Sequence, residues 1–176
     1  LKFTPLSLSG AHLIEPVPIE DERGFFARIF CQETLRDQGL HADFAQCSIS
    51  FNRLKGTLRG MHYQLEPQAE VKIVRCTQGE IYDVIIDVRR GSTTYGKWEG
   101  ISLSAANRRL LYIPEGFAHG FQTLAENTEV FYQISRPYVP GYARGVRWND
   151  PAFGIPWPMP VAVMSSKDQH YADFPS

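Results

Sequence analysis

The most constraining feature of this chain is its punctuation. The apolar or alternating runs Val71–Thr77, Glu80–Val88, Trp98–Leu103, Arg109–Ile113 and Thr128–Ser135 are all short. Turn signals separate them: Gln78-Gly79, Arg90-Gly91-Ser92, Ala105-Ala106-Asn107, Pro114-Glu-Gly116 and Ala125-Glu-Asn127. Gly and Asn tolerate the backbone angles of tight turns, and runs this short suit strands better than helices. Many short strands at regular spacing predict an all-β sandwich or barrel. One helix is expected near Gln32–Gln38, with Gly39 as its stop. From Pro137 the chain is loop-rich: Pro140, Pro151, Pro156, Pro158 and Pro160 each lack the N–H that a central strand must donate. Ser165-Ser-Lys-Asp168 reads as a last short helix or turn. No repeat, low-complexity stretch or linker interrupts the 176 residues, so a single domain spanning 1–176 is expected.

Composition narrows the classes of function. Hydrophobic residues make up 43% and charged residues 21%, as in an ordinary globular protein. A net charge of −1 argues against a general binder of nucleic acid or anionic membrane, yet leaves room for one small basic pocket. No apolar run approaches the ~20 residues a membrane helix needs. Cys31, Cys47 and Cys76 are odd in number and lack C-x-x-C spacing. Free thiols in a reducing cytosol, hence a cytoplasmic protein, are the expectation.

Two motifs carry the chemistry: Gly56-Thr-Leu-Arg-Gly-Met-His62-Tyr-Gln64, followed by Glu70 and Lys72, and Ile113-Pro-Glu-Gly-Phe-Ala-His119-Gly-Phe121. Metal-binding cupin barrels gather ligands from His-x-His with a downstream Glu and from Pro-x-Gly-x-x-His. Here the second half is intact, but Gln64 replaces the second His and Lys72 adds a positive charge. A metal set of His62, His119 and Glu70 is therefore disfavoured, and no metal or other cofactor is expected. Strand alternation places Lys72 on a face with Val74 and Cys76, and Tyr132 with Val130 and Ile134. It places His119 with Phe117 and Phe121, and His62 with Leu58, Gly60 and Gln64. Polar groups on separate strands thus point toward apolar surroundings, as pocket linings do.

Each residue alone has a bland reading. His62 could be a satisfied core histidine, and Tyr132 packing. Lys72 could snorkel or pair with Glu70 or Asp83, and Asp168 could cap a helix. Together they make a reaction. An imidazole removes a proton beside a carbonyl, an ammonium stabilises the enolate oxygen, and a phenol returns a proton to the other face. A carboxylate on the imidazole fixes its tautomer.

With these strings in this order the chain resembles the dTDP-4-dehydrorhamnose 3,5-epimerases, nucleotide-sugar epimerases of the cupin superfamily. The likeness runs nearly end to end. It takes in Asp21-Glu-Arg-Gly-Phe-Phe26, both motifs above, Lys72, Gly79-Glu-Ile-Tyr-Asp83, Asp87-Val-Arg89, Tyr132, Trp148-Asn-Asp-Pro151, Ile155-Pro-Trp-Pro158 and Ser166-Lys-Asp168. The resemblance implies a cupin-type jelly roll with a few short helices. It implies conversion of dTDP-4-dehydro-6-deoxy-D-glucose to dTDP-4-dehydro-β-L-rhamnose without a cofactor. By the same resemblance His62 is the base, with Asp168 as its dyad partner. Lys72 stabilises the enolate, and Tyr132 is the acid on the opposite face. Arg59 and His119 would hold the sugar and phosphate region. Arg23 would contact the pyrophosphate from a partner subunit, and Tyr138 would stack on the base. Phe26, Gln46, Ser48 and Lys167 complete the expected substrate contacts.

A homodimer that exchanges N-terminal strands is implied as well, with segment 137–176 closing the barrel. Arg28 and Ala143 stand where the family usually carries glutamates, and Ser48 ends what is usually a Gln-x-Asn motif. The alternatives are therefore another nucleotide or sugar, or inversion at only C3 or only C5. From other classes, the competing readings are a metal-dependent cupin enzyme and a non-catalytic sugar-binding barrel.

Overall fold

The computed structural model describes residues 1–174. One antiparallel sheet contains β1 (Lys2–Pro5), β2 (His12–Glu15), β5 (Gln46–Asn52), β7 (Lys72–Gln78), β10 (Leu110–Ile113) and β12 (Thr128–Ile134), in the order β1-β2-β10-β7-β12-β5. The second contains β6 (Leu58–Gln64), β8 (Glu80–Asp87), β9 (Trp98–Ser104), β11 (Phe117–Thr123) and β13 (Ala143–Gly145), in the order β13-β6-β11-β8-β9. β3 (Pro18–Asp21) and β4 (Gly24–Ala27) form a separate hairpin. Helices α1 (Gln32–Asp37) and α2 (Ser166–Gln169) are both short. This is the expected all-β, cupin-like jelly roll, and the five punctuated runs are β7, β8, β9, β10 and β12. Gly39 ends α1 with φ +69°, a conformation that favours glycine. The three cysteines are unpaired. No helix among the described residues is long and apolar enough to cross a membrane.

Three apolar layers hold the sandwich together. Val74, Cys76, Ile81, Ile85, Leu111, Phe117, Phe121 and Val130 pack between the two sheets. On the outer face of the six-stranded sheet, Leu35 of α1 and Phe44 cover Ile14, Ile73 and Leu110. On the outer face of the other sheet, Phe153, Ile155 and Trp157 of the proline-rich segment cover Met61, Val84 and Ile86. β8 is thus buried on both sides, which explains its nearly continuous apolar sequence. Fully burying each such Ile, Leu or Val contributes about 1.5–3 kcal/mol.

β6 corrects one expected face. Its register with β11 pairs His119 with His62 and Phe121 with Arg59, so three residues of β6 span what two of β11 span. The extra residue turns Met61 to the outer layer and brings Arg59 to the inner face with His62. Leu58 does not share that face: it pairs with Gln122, whose side chain donates outward to the Met159 carbonyl. Two glycines make the bulge possible. A Cβ on Gly60 would stand 2.5 Å from the Gly120 Cα, and one on Gly120 would stand 2.6 Å from the Arg59 carbonyl.

Candidate active site

Between the sheets lies a cavity of about 350 Å³. The six-stranded wall contributes Gln46 and Ser48 from β5, Lys72 from β7 and Tyr132 from β12. Their common orientation follows from register: Tyr132 pairs with Ser48 and Val74, and Ile134 pairs with Gln46 and Lys72. The opposite wall contributes Arg59 and His62 from β6 and His119 from β11. Tyr138 and Lys167 come from the C-terminal segment. Ten of the twelve residues singled out in the sequence are thus at one site, because Asp168 stands directly behind His62.

The His62 ring is 44% exposed at its side chain, and its Nε2 lies 2.7 Å from Asp168 Oδ1. Asp168 is buried. Burial pushes its carboxyl up, but the His62 ring, the Gly60 N–H at 3.3 Å and Ser165 outweigh that and hold it below its ordinary value. A carboxylate only accepts, so Nε2 carries the hydrogen and Nδ1 is the nitrogen left free. Asp168 also fills the bland role foreseen for it, since its N–H donates to Ser165 Oγ at the start of α2. Capping here serves the site: it sets the turn that presents the carboxylate to a strand 106 positions away.

Across the cavity, burial pushes the Tyr132 phenol far above its ordinary value, so it stays protonated and can donate. Its ring meets that of His119 edge-on with 6.1 Å between centroids. Lys72 Nζ lies 3.0 Å from Glu70 Oε1 and donates to the His62 carbonyl at 3.3 Å. Its partner is therefore Glu70 and not Asp83, which pairs instead with His119 Nε2 at 2.6 Å. Arg59 is oriented by Asn52, whose Oδ1 accepts from Nε at 2.7 Å.

Arg23 and Phe26 are not brought to this cavity within the chain. Both lie on the β3–β4 hairpin, where Arg23 pairs with Asp21 and Phe26 is 74% exposed. Of the departures noted in the sequence, Ala143 lines the cavity and Arg28 does not.

Several site residues escaped the sequence reading. Arg136, Arg144 and Tyr171 also line the cavity, on irregular backbone or a three-residue edge strand that has no periodic signal. Gln64 is more than a missing ligand. It is buried, its Oε1 accepts from the Val139 N–H at 2.7 Å, and its Nε2 donates to the carbonyls of Gln68 and Pro137. It therefore ties down the loop that carries Tyr138. No group of three His, Cys, Asp or Glu among the described residues is placed to hold a metal ion. Among the described residues the lining instead carries Arg59, Lys72, Arg136, Arg144 and Lys167 against the single carboxylate of Glu70. This cavity attracts anions.

Fold and site together define a cupin-like barrel built for acid–base chemistry on an anionic ligand. A family profile for dTDP-4-dehydrorhamnose 3,5-epimerase matches residues 5–176. The chain is 44% identical over 167 residues to the dTDP-4-dehydrorhamnose 3,5-epimerase of Sinorhizobium fredii, covering 94% of this chain and 86% of that one. Among solved structures, the dTDP-4-dehydrorhamnose 3,5-epimerase of Bacillus anthracis, with TDP and pyrophosphate bound, superposes with a TM-score of 0.95 at 39% identity, covering 98% of this chain and 99% of that one. A 3'-monoepimerase from Streptomyces bikiniensis, in complex with dTDP-quinovose, superposes with a TM-score of 0.88 at 33% identity, covering 96% and 86%. The chain belongs to the dTDP-4-dehydrorhamnose 3,5-epimerase family and is an isomerase.

Proposed function

We propose that this protein converts dTDP-4-dehydro-6-deoxy-D-glucose to dTDP-4-dehydro-β-L-rhamnose by inverting C5 and C3. The observation that carries the reading is the placement of a carboxylate-held imidazole and a protonated phenol on opposite walls of one cationic cavity. His62 Nδ1 takes the proton from the carbon beside the C4 ketone. The C–H electron pair moves into the ring, and the negative charge collects on the C4 oxygen, against the Lys72 ammonium. Tyr132 then delivers its proton to the opposite face of the same carbon, which restores the ketone with inverted configuration. Arg59, His119 and Lys167 hold the sugar and diphosphate, Gln46 and Ser48 line the nucleotide side, and Tyr138 stacks on the base. The ketone already present in the substrate acidifies the C–H bond, so the chemistry needs no cofactor.

A homodimer completes the site in this reading. The hairpin carrying Arg23 and Phe26 exposes Ile19, Phe25 and Phe26, and β5 exposes Ile49 and Phe51 beside an unpaired sheet edge. Hairpin exchange would cover this apolar surface and carry Arg23 and Phe26 to a partner's cavity.

The likeness to a 3'-monoepimerase favours one second reading, inversion at a single carbon. A proton NMR time course in D2O with dTDP-4-keto-6-deoxy-D-glucose decides between them. Deuterium at C3 and C5 with inverted product is the expected result. Deuterium at one carbon would establish the single-site reading, and no exchange would overturn both.

A further inference from the structure

Among the described residues Glu70 is the one carboxylate that lines the cavity, and it is only 9% exposed. Its Oε1 is used by Lys72. Its Oε2 is buried and has no hydrogen-bond partner among the described residues. A carboxylate oxygen can only accept, and leaving a buried acceptor unsatisfied is costly, so a small turn of the side chain that opens Oε2 to the cavity would let a ligand donor satisfy it. The reaction outlined above uses Lys72 and leaves Glu70 without a task.

We propose that Glu70 Oε2 accepts a hydrogen bond from a ring hydroxyl of the hexose and so selects the sugar part of the ligand. The proposal rests on the function assigned above. The charge pattern supports it. Arg59, Lys72, Arg136, Arg144 and Lys167 would each welcome a phosphate, whereas a carboxylate repels one. Only a neutral part of the ligand that bears donors can rest against Glu70, and of the hexose, the deoxyribose and the base it is the hexose whose ketone is assigned to Lys72, the partner of Glu70. Geometry supports it too. The same carboxylate anchors Lys72, so a hydroxyl on Oε2 and a ketone oxygen on the ammonium are neighbours. A hydroxyl on the carbon next to the ketone meets both demands, and its engagement turns the ketone toward Lys72. Glu70 is thus a specificity-determining residue that reads the substrate's hydroxyl and orients its ketone.

The test compares the unaltered full chain with Glu70→Ala and Glu70→Gln. KM is measured for dTDP-4-keto-6-deoxy-D-glucose, and binding of dTDP alone is measured by calorimetry. Loss of a hydrogen bond to a charged group predicts a KM raised about tenfold or more in Glu70→Ala. A smaller rise is expected in Glu70→Gln, whose amide oxygen can still accept, and dTDP affinity does not fall below that of the unaltered chain in either variant. Any fall in kcat from a loosened Lys72 leaves this pattern in place. Unchanged KM in both variants overturns the proposal. So does weakening of dTDP in step with the sugar nucleotide, which would mean general damage to the site. An unaltered chain that neither exchanges protons nor binds dTDP overturns the assigned function, and this inference with it.

Discussion

Asp168 and Asp87 are both buried carboxylates held below their ordinary range, and the difference between their surroundings separates chemistry from architecture. Asp87 accepts from Arg89 Nε and Nη2 at 2.9 and 2.7 Å, and from Ser92 Oγ and Thr94 Oγ1 at 2.6 Å each. Burial pushes it up, but these donors prevail and hold it at about 2. All of them lie within seven residues along the chain, and Arg89 is fixed further by stacking over Phe117. The knot is closed on itself. Asp168 instead draws on a ring from a distant strand, whose second nitrogen stays free at the edge of the cavity. A buried charge whose partners are all turned inward organises structure. One whose partner keeps a free reactive atom toward a cavity is placed to do chemistry.

The contrast is broken or sharpened most strongly by removing the reactive ring. His62→Ala should lower solvent exchange at the sugar by roughly 10²–10⁴-fold, while its urea midpoint stays near that of the unaltered chain. Exchange at the unaltered rate would mean that another group is the base. Next in size is a paired substitution. Asp87→Asn leaves Arg89 without its counter-charge and should cost about 3 kcal/mol of stability, with turnover per folded molecule retained. Asp168→Asn still offers an oxygen to His62 Nε2. It should cost about 1 kcal/mol or less but lower exchange by roughly 10–100-fold. Equal losses of activity in the two variants, measured beside their urea midpoints, would erase the distinction between the two carboxylates.

How much of this was legible in the sequence depends on the range of the interactions. Strand runs from Val71 to Ser135 were readable because each is closed by local turn chemistry, and the inward face of Lys72 follows from simple alternation along β7. Alternation failed on β6, where the register break at Gly60 and Met61 is a property of two strands meeting and not of either alone. The hairpin β3–β4 escaped because its apolar residues are exposed in the single chain, so no buried face marks it. Tyr171 and Arg136 reach the cavity from irregular backbone, and irregular backbone has no period to read. The functions of Gln64 and Glu70 depend on which atoms remain unpaired after folding, something no spacing encodes. Their opposite fates, one fully tied and one left with a free oxygen, emerge only from the assembled structure.

The last expected effect concerns acid stability and tests Asp87 from the other side. Its folded carboxyl titrates at about 2, whereas an aspartate in an unfolded chain titrates near ~3.9. The native state therefore holds the ionised form more tightly than the unfolded state does. That contribution is fully present above pH ~4 and disappears as the pH falls through the folded value, because protonation then no longer distinguishes the two states. The difference amounts to about 2.5 kcal/mol. Urea midpoints measured between pH 5 and pH 2 should fall more steeply in the unaltered chain than in Asp87→Asn, which has no proton to take up at this position. Asp168, also held low, adds to the slope in the same direction, so Asp168→Asn should flatten it by a smaller amount. Identical slopes in all three proteins would mean that the donors around Asp87 fix its position without preferring its charge. The closed knot and the open dyad would then differ only in location.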